Sequence, residues 1–218
     1  SVDGDACRVF SGRLVRGVKN GPSPDWLQTR LKAIGLRPIS VLVDITNLFT
    51  FDLNRPLHVF DADKVAGDLV VRSAAEGESL LALDGKTYAL APGMTIIADD
   101  HGVESLGGVM GGEASGCSDD TVNVFLEAAF FDPIRTATTG RALKINSDAR
   151  YRFERGVDPE FTLPGLDLAT RMILDLCGGE AGEVVVDGSV PQTTRQYRFD
   201  AARVISLVGM DIPEAEQR

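Results

Sequence analysis

Between Asp68 and about Glu127 the chain is cut into short apolar runs by tight-turn signals, whereas on either side the apolar residues recur at helical spacing. Strands grouped in one stretch, rather than alternating singly with helices, argue against a doubly wound parallel sheet. They predict an α+β fold, an antiparallel β-rich module with flanking helices. Leu80-Leu81-Ala82-Leu83, Asp84-Gly85 and Lys86-Thr87-Tyr88-Ala89-Leu90 predict one hairpin, because Asp-Gly suits the positive φ of a two-residue turn. Thr95-Ile96-Ile97-Ala98 and the segment reaching Leu106 predict a second, turning at Asp100-His101-Gly102 with His101 as an exposed loop residue. In the stretch Gly107-Gly108-Val109-Met110-Gly111-Gly112, backbone amides can approach a ligand closely; a tight sheet corner is the alternative.

Four helices are expected before residue 191. Ser23-Pro24-Asp25 reads as N-cap, N1 proline and acidic first turn, with Leu27, Leu31 and Ile34 on one face and a stop at Gly35. Residues 40 to 53 start at Ser40 and carry Val41, Leu42, Ile45, Leu48 and Phe49 at helical spacing, ending at Asn54, although their β-branched content would also suit a strand. Asp132-Pro133 opens a third, to about Ile145, and Pro164 to Leu176 forms a fourth that closes at Gly178-Gly179. After Pro191 the texture changes. Gln196-Tyr197-Arg198-Phe199 and Asp200 to Leu207 read as the first strand and helix of another domain, dividing the chain into 1–190 and 191–218.

With 218 residues and 44% hydrophobic content, the chain can bury one sizeable core or two small ones. No apolar run approaches the roughly 20 residues of a membrane span. Ser1-Val2-Asp3-Gly4-Asp5 lacks the features of a signal peptide, so the cytoplasm is the default location. Cys7, Cys117 and Cys177 are widely spaced, with neither a Cys-x-x-Cys pair nor a histidine set to suggest a disulfide framework or zinc. The net charge of −10 excludes a general nucleic-acid-coating surface. Yet Arg135, Arg141, Lys144, Arg150, Arg152 and Arg155 form a basic island with only Asp148 and Glu154 among them. It would either meet a polyanion or close on itself as a salt-bridged cluster.

Chemistry concentrates in Val43-Asp44-Ile45-Thr46-Asn47 and in Asn54-Arg55-Pro56-Leu57-His58-Val59-Phe60-Asp61, where hydroxyl, amide, carboxylate and one of two histidines sit on an apolar background. Glu127 lies in Phe125-Leu126-Glu127-Ala128-Ala129, a segment too apolar for a surface carboxylate. A buried glutamate needs a partner, either a ligand or an arginine of the basic island.

These segments occur in order with Ser23-Pro24-Asp25-Trp26-Leu27, Leu126-Glu127-Ala128-Ala129-Phe130-Phe131-Asp132-Pro133 and Arg152-Phe153-Glu154-Arg155-Gly156-Val157-Asp158-Pro159. Together they closely resemble the B3/B4 editing module of the bacterial phenylalanyl-tRNA synthetase beta subunit over residues 7 to about 190, with residues 191–218 resembling the start of its B5 domain. The resemblance implies hydrolysis of tyrosine wrongly esterified to tRNA(Phe), within a synthetase that ligates phenylalanine to that tRNA. Implied partners are the tRNA(Phe) acceptor end, the alpha subunit in a heterotetramer of two alpha and two beta chains, and tyrosine as the editing-site ligand. It implies no cofactor for the fragment; ATP and Mg belong to the full synthetase, whose class II motifs lie on the alpha subunit, so the fragment alone should not aminoacylate.

By the same resemblance, Glu127 would read the tyrosine hydroxyl and Ala129 would wall the ring. His58, Asn47 and Thr46 would serve the scissile ester, with His58 as general base or only binder. Pro56 would fix the loop presenting His58, and Gly111 and Gly112 would offer backbone amides. The chain departs from the family at Asp52-Leu53-Asn54-Arg55, where glycine and glutamine commonly replace the last two; Arg55 is expected near the site entrance. Ser147-Asp148-Ala149-Arg150 stands where threonine and serine are common at the ends. Two other functions fit the same residues: a non-catalytic scaffold of the beta subunit, and a small-molecule or peptide hydrolase unrelated to tRNA.

Overall fold

Strand β1 (Cys7–Arg16) in the computed structural model, which describes residues 1–192 and 196–217, is followed by α1 (Asp25–Ala33), α2 (Val41–Asp52) and β2 (His58–Asp61). Six short strands come next: β3 (Val70–Ser73), β4 (Ser79–Leu81), β5 (Thr87–Ala89), β6 (Thr95–Ala98), β7 (Val103–Leu106) and β8 (Met110–Gly111). The chain then runs through β9 (Asn123–Phe131), α3 (Pro133–Ala142), α4 (Asp148–Phe153), α5 (Thr162–Cys177), β10 (Glu180–Gly188) and α6 (Ala202–Val208). One sheet has the order β10-β1-β9-β2, a second β3-β6-β7-β8, and β4-β5 stands as a separate hairpin. All their pairings are antiparallel, as the α+β expectation requires.

Strand β9 organises the molecule. Because side chains alternate across a strand, Val124, Leu126 and Ala128 enter a core with Leu27 and Leu31 of α1, Ile45 and Phe49 of α2, and Leu166 and Ile173 of α5. Ala129 and Phe131 point the other way, into a core with Phe10, Phe60, Phe153 and, from the second sheet, Val71 and Ile97. Glu127 shares this second face by the same alternation. A third cluster joins Leu80, Ile96 and Leu106 to Ile145.

Both predicted hairpins form, with Leu80 opposite Tyr88 in one and Ile96 opposite Leu106 in the other; His101 is exposed. At α1 the capping expectation fails: Pro24 is the N-cap residue, and the buried Ser23 hydroxyl donates instead to Asp44 Oδ2 at 2.5 Å. Leu27 and Leu31 are buried, but Ile34, beyond the helix, is 51% exposed. Helix α3 ends at Ala142, short of Ile145, because Lys144 turns left-handed (φ 56°) and delivers Ile145 to the third cluster. The strand expected at Gln196–Phe199 is absent, whereas the helix after it is present as α6. Thr193, Thr194, Arg195 and Arg218, within the expected second domain, lie outside the described residues.

Much of the basic island closes on itself. Arg150 pairs with Glu154 at 2.9 Å, Arg155 with Glu154 at 2.7 Å, Arg152 with Asp148 at 3.3 Å, and Arg135 with Asp5. Cys7, Cys117 and Cys177 are free thiols.

Candidate functional site

A cleft of about 60 Å³ opens where the first sheet meets the glycine-rich turn of the second, lined by Pro56, Leu57, His58, Ser105, Leu106, Gly108, Val109, Met110, Gly111, Glu127, Phe131, Ala149 and Phe153. Local structure explains the convergence. Asn54 leaves α2 in a left-handed conformation (φ 51°), and Pro56 then leads into β2. Antiparallel pairing sets His58 directly opposite Glu127. From the other side, the Ser147 hydroxyl caps α4 by accepting from Arg150 N at 3.1 Å and donates to Val109 O, pinning α4 to the glycine-rich turn. Ala149 and Phe153, one helical turn apart, thereby reach the cleft.

Gly111 permits this closeness. A Cβ there would stand 2.4 Å from His58 Cε1, so any side chain would displace the imidazole. That ring is also held edge-on by Phe60, with centroids 4.4 Å apart.

Among the described residues His58 and Glu127 make no side-chain hydrogen bond, whereas the Ser105 hydroxyl donates to Met110 O at 3.2 Å. His58 Nε2 is shielded from solvent and makes no hydrogen bond. His58 is half-buried, with Nε2 inaccessible, and this burial lowers the imidazole pKa from 6.5 to about 4, because the imidazolium is poorly solvated there. At neutral pH His58 is therefore uncharged, with Nε2 free to accept a hydrogen bond or a proton. Glu127 is 5% exposed, and among the described residues its carboxyl forms no ion pair, so the basic island does not neutralise it. Burial raises its pKa to about 8, with Arg55 pulling in the opposite direction.

Arg55 is not at an entrance. It is completely buried, donating from Nη1 to Ala129 O at 3.0 Å and from Nη2 to Asp158 O. Its position was hidden in the sequence, where a charged residue beside a proline suggests a surface turn.

Of the residues singled out from sequence, Pro56, His58, Gly111 and Glu127 meet in the cleft. Ala129 does not line it: the residue is fully buried beyond Glu127 on β9 and gives its carbonyl to Arg55. Ala149 supplies a small apolar wall instead. Gly112 does not line it either, and its amide is already donated to Glu104 O at 2.8 Å. Thr46 and Asn47 sit on α2 outside the cleft, the Thr46 hydroxyl donating to Val43 O at 2.8 Å. Asp44 is structural, accepting from Ser23 Oγ and from Ile39 N. Ala149 and Phe153 were missed; helical spacing relates them, but no local signal shows what they face.

A larger groove, about 610 Å³, lies against Phe10, Leu14, Asn123 and Phe125 of the first sheet. Size alone would favour it. Several of its polar groups, however, are already engaged: Asn123 Nδ2 donates to both oxygens of Asp63, and Asp187 accepts from Val2 N. The smaller cleft holds the unpartnered carboxyl and imidazole, and chemistry requires groups of that kind.

Residues 6–178 match the family described as B3/4 domain. The chain is 71% identical over 212 residues to the phenylalanine–tRNA ligase beta subunit of Cereibacter sphaeroides and 66% identical over 214 residues to that of Ruegeria pomeroyi. Those alignments cover 97% and 98% of this chain but 26% and 27% of the relatives, so the chain spans about a quarter of their length. Its fold is similar to an N-terminal fragment of the phenylalanyl-tRNA synthetase beta subunit from Pyrococcus horikoshii, with a TM-score of 0.52 at 14% identity over 95% of this chain and 57% of that one.

Proposed function

The chain belongs to the B3/4 domain family, and from that membership and the cleft we propose that it is the editing module of a phenylalanyl-tRNA synthetase beta subunit, hydrolysing tyrosine wrongly esterified to tRNA(Phe). A synthetic pocket shaped for phenylalanine rejects weakly an isostere that merely adds a hydroxyl, so a second site must use that hydroxyl positively. The observation that carries the proposal is Glu127, a buried carboxyl in a mostly apolar cleft with no hydrogen-bond partner among the described residues. A phenol supplies the missing donor. Phenylalanine would leave the carboxyl unpaired, at about 1–3 kcal/mol.

At about 60 Å³ the cleft is smaller than the roughly 150 Å³ cavity that takes benzene. Entry of the ring therefore requires the half-buried Met110 and the glycine-rich turn to yield. Once that movement uncovers Nε2, His58, neutral at working pH, orients water or the ester through it rather than removing a proton. The ester is already activated, so a positioned water suffices; it adds to the carbonyl carbon and the ribose hydroxyl leaves. Thr46 and Asn47, on α2 outside the cleft, would meet the ribose end. The working form is the cytoplasmic synthetase of two alpha and two beta chains, whose aminoacylation uses ATP and Mg at a site outside this chain.

The test is deacylation of Tyr-tRNA(Phe) by the full synthetase carrying Glu127→Ala or His58→Ala. Glu127→Ala should lower kcat/KM for Tyr-tRNA(Phe) roughly 10- to 100-fold while phenylalanine charging continues. Unchanged deacylation in both variants would sink the proposal and leave a scaffold.

A further inference from the structure

Resting on Glu127 as the reader of the tyrosine hydroxyl, we propose that Arg55 is a positioning residue for that reader, a buried cation behind β9 that draws the Glu127 carboxyl toward the anionic form a phenol satisfies and phenylalanine cannot. Arg55 is among the largest fully buried side chains, yet its guanidinium has no ion-pair partner within 4 Å among the described residues and its Nε has no hydrogen bond. A buried charge is costly unless something offsets it. Two carbonyls hold it in place, Ala129 O on β9 and Asp158 O before α5, and its Cγ lies where a side chain at Gly165 would fall, 3.1 Å from the Cβ site. Ala129 is two residues from Glu127 on the same strand face, so the clamp fixes the charge within electrostatic reach of the carboxyl without forming an ion pair with it.

The other groups around Glu127 cannot do this. His58 faces it from β2 but is neutral at working pH. Cys7, at the start of β1, is a thiol that burial and Glu127 itself push up to about 12, so it stays protonated. Across the cleft, β7, β8 and α4 present Ser105, Met110, Gly111, Ala149 and Phe153, all uncharged. Asp158 lies beyond Arg55 and acts on it.

A protonated carboxyl can both donate and accept, whereas a carboxylate only accepts and is left unsatisfied by a ligand with no donor. Discrimination between tyrosine and phenylalanine should therefore grow as Glu127 ionises, and Arg55 sets the pH at which it does. A purely structural role would need only two donors for two carbonyls, which an amide also supplies.

The experiment measures kcat/KM of the full synthetase for deacylating Tyr-tRNA(Phe) and Phe-tRNA(Phe) from about pH 6 to about pH 9, taking their ratio so that spontaneous hydrolysis and general damage cancel. The wild-type ratio should rise with pH. Arg55→Gln should displace the midpoint upward by about one unit, a roughly tenfold loss of discrimination at fixed pH on the rising limb, while Arg55→Lys, which keeps the charge, should stay within about half a unit of wild type. A flat wild-type ratio, or a wild-type midpoint in Arg55→Gln, overturns the proposal. If Arg55→Gln does not assemble, Arg55→Lys decides: an unchanged midpoint supports the electrostatic role and a displaced one refutes it. Glu127→Gln separates the two levels. If it keeps the wild-type ratio and profile, the role of Glu127 itself is wrong; if it abolishes the rise while Arg55→Gln leaves it in place, only the role of Arg55 is wrong.

Discussion

His58 and Glu127 face each other across β2 and β9, and burial moves their ionisation in opposite directions, which gives the chain a specific pH signature of stability. Glu127 has a folded pKa raised from 4.5 to about 8, so its contribution is fully present below 4.5 and is lost as pH rises toward 8. His58 has a folded pKa lowered from 6.5 to about 4, so its contribution is present above 6.5 and is lost as pH falls toward 4. Between 4.5 and 6.5 the two slopes oppose each other. From 6.5 to 8 only Glu127 acts, with a slope of up to about 1.4 kcal/mol per pH unit. Denaturant unfolding of wild type and Glu127→Gln should show the variant gaining relative stability across that window, and parallel curves there would mean the carboxyl is not protonated on burial. Both residues could be picked from the sequence because each is a polar outlier on an apolar background. Their altered ionisation could not, since burial depends on what packs over them.

At the scale of elements, the glycine-rich turn and β8 are a close-fitting lid over the imidazole. Gly111→Ala places a methyl within 2.4 Å of His58 Cε1, and the ring, boxed by Phe60, has little room to move. The expected outcome is a loss of Tyr-tRNA(Phe) deacylation by the full synthetase of at least about tenfold, with a stability cost of about 1–3 kcal/mol. Wild-type deacylation in that variant would show that His58 need not hold this position. Hairpins were legible because Asp84-Gly85 and Asp99-Asp100-His101-Gly102 carry turn chemistry within a few residues. Strands β1 and β10 were not. Gly12 interrupts β1 and Gly182 interrupts β10, and glycine has low strand propensity. Gly12 is there because Phe125 lies over it, with its ring 2.1 Å from where a Cβ would stand.

For the whole molecule, β9 is paired on both edges, with β1 and β2, and buried on both faces between the helical core and the aromatic core. Its amides should exchange with solvent only on global unfolding, whereas those of the edge strand β10 and of the exposed helix α6 exchange earlier. Hydrogen exchange followed by mass spectrometry checks this, and protection of β10 equal to that of β9 would contradict it. The amino-acid sequence by itself determined the span of α2, the end of α5, the two hairpins, the α+β class and the candidacy of His58 and Glu127, because periodicity and turn residues act over a few positions. Only the tertiary structure decided that Ala149 and Phe153, not Ala129, wall the cleft, that Gly112 spends its amide in the sheet, and that Arg55 is buried behind Glu127. Those outcomes depend on strand register and on which distant element packs against which face, and contacts separated by tens of residues leave no local signature in the chain.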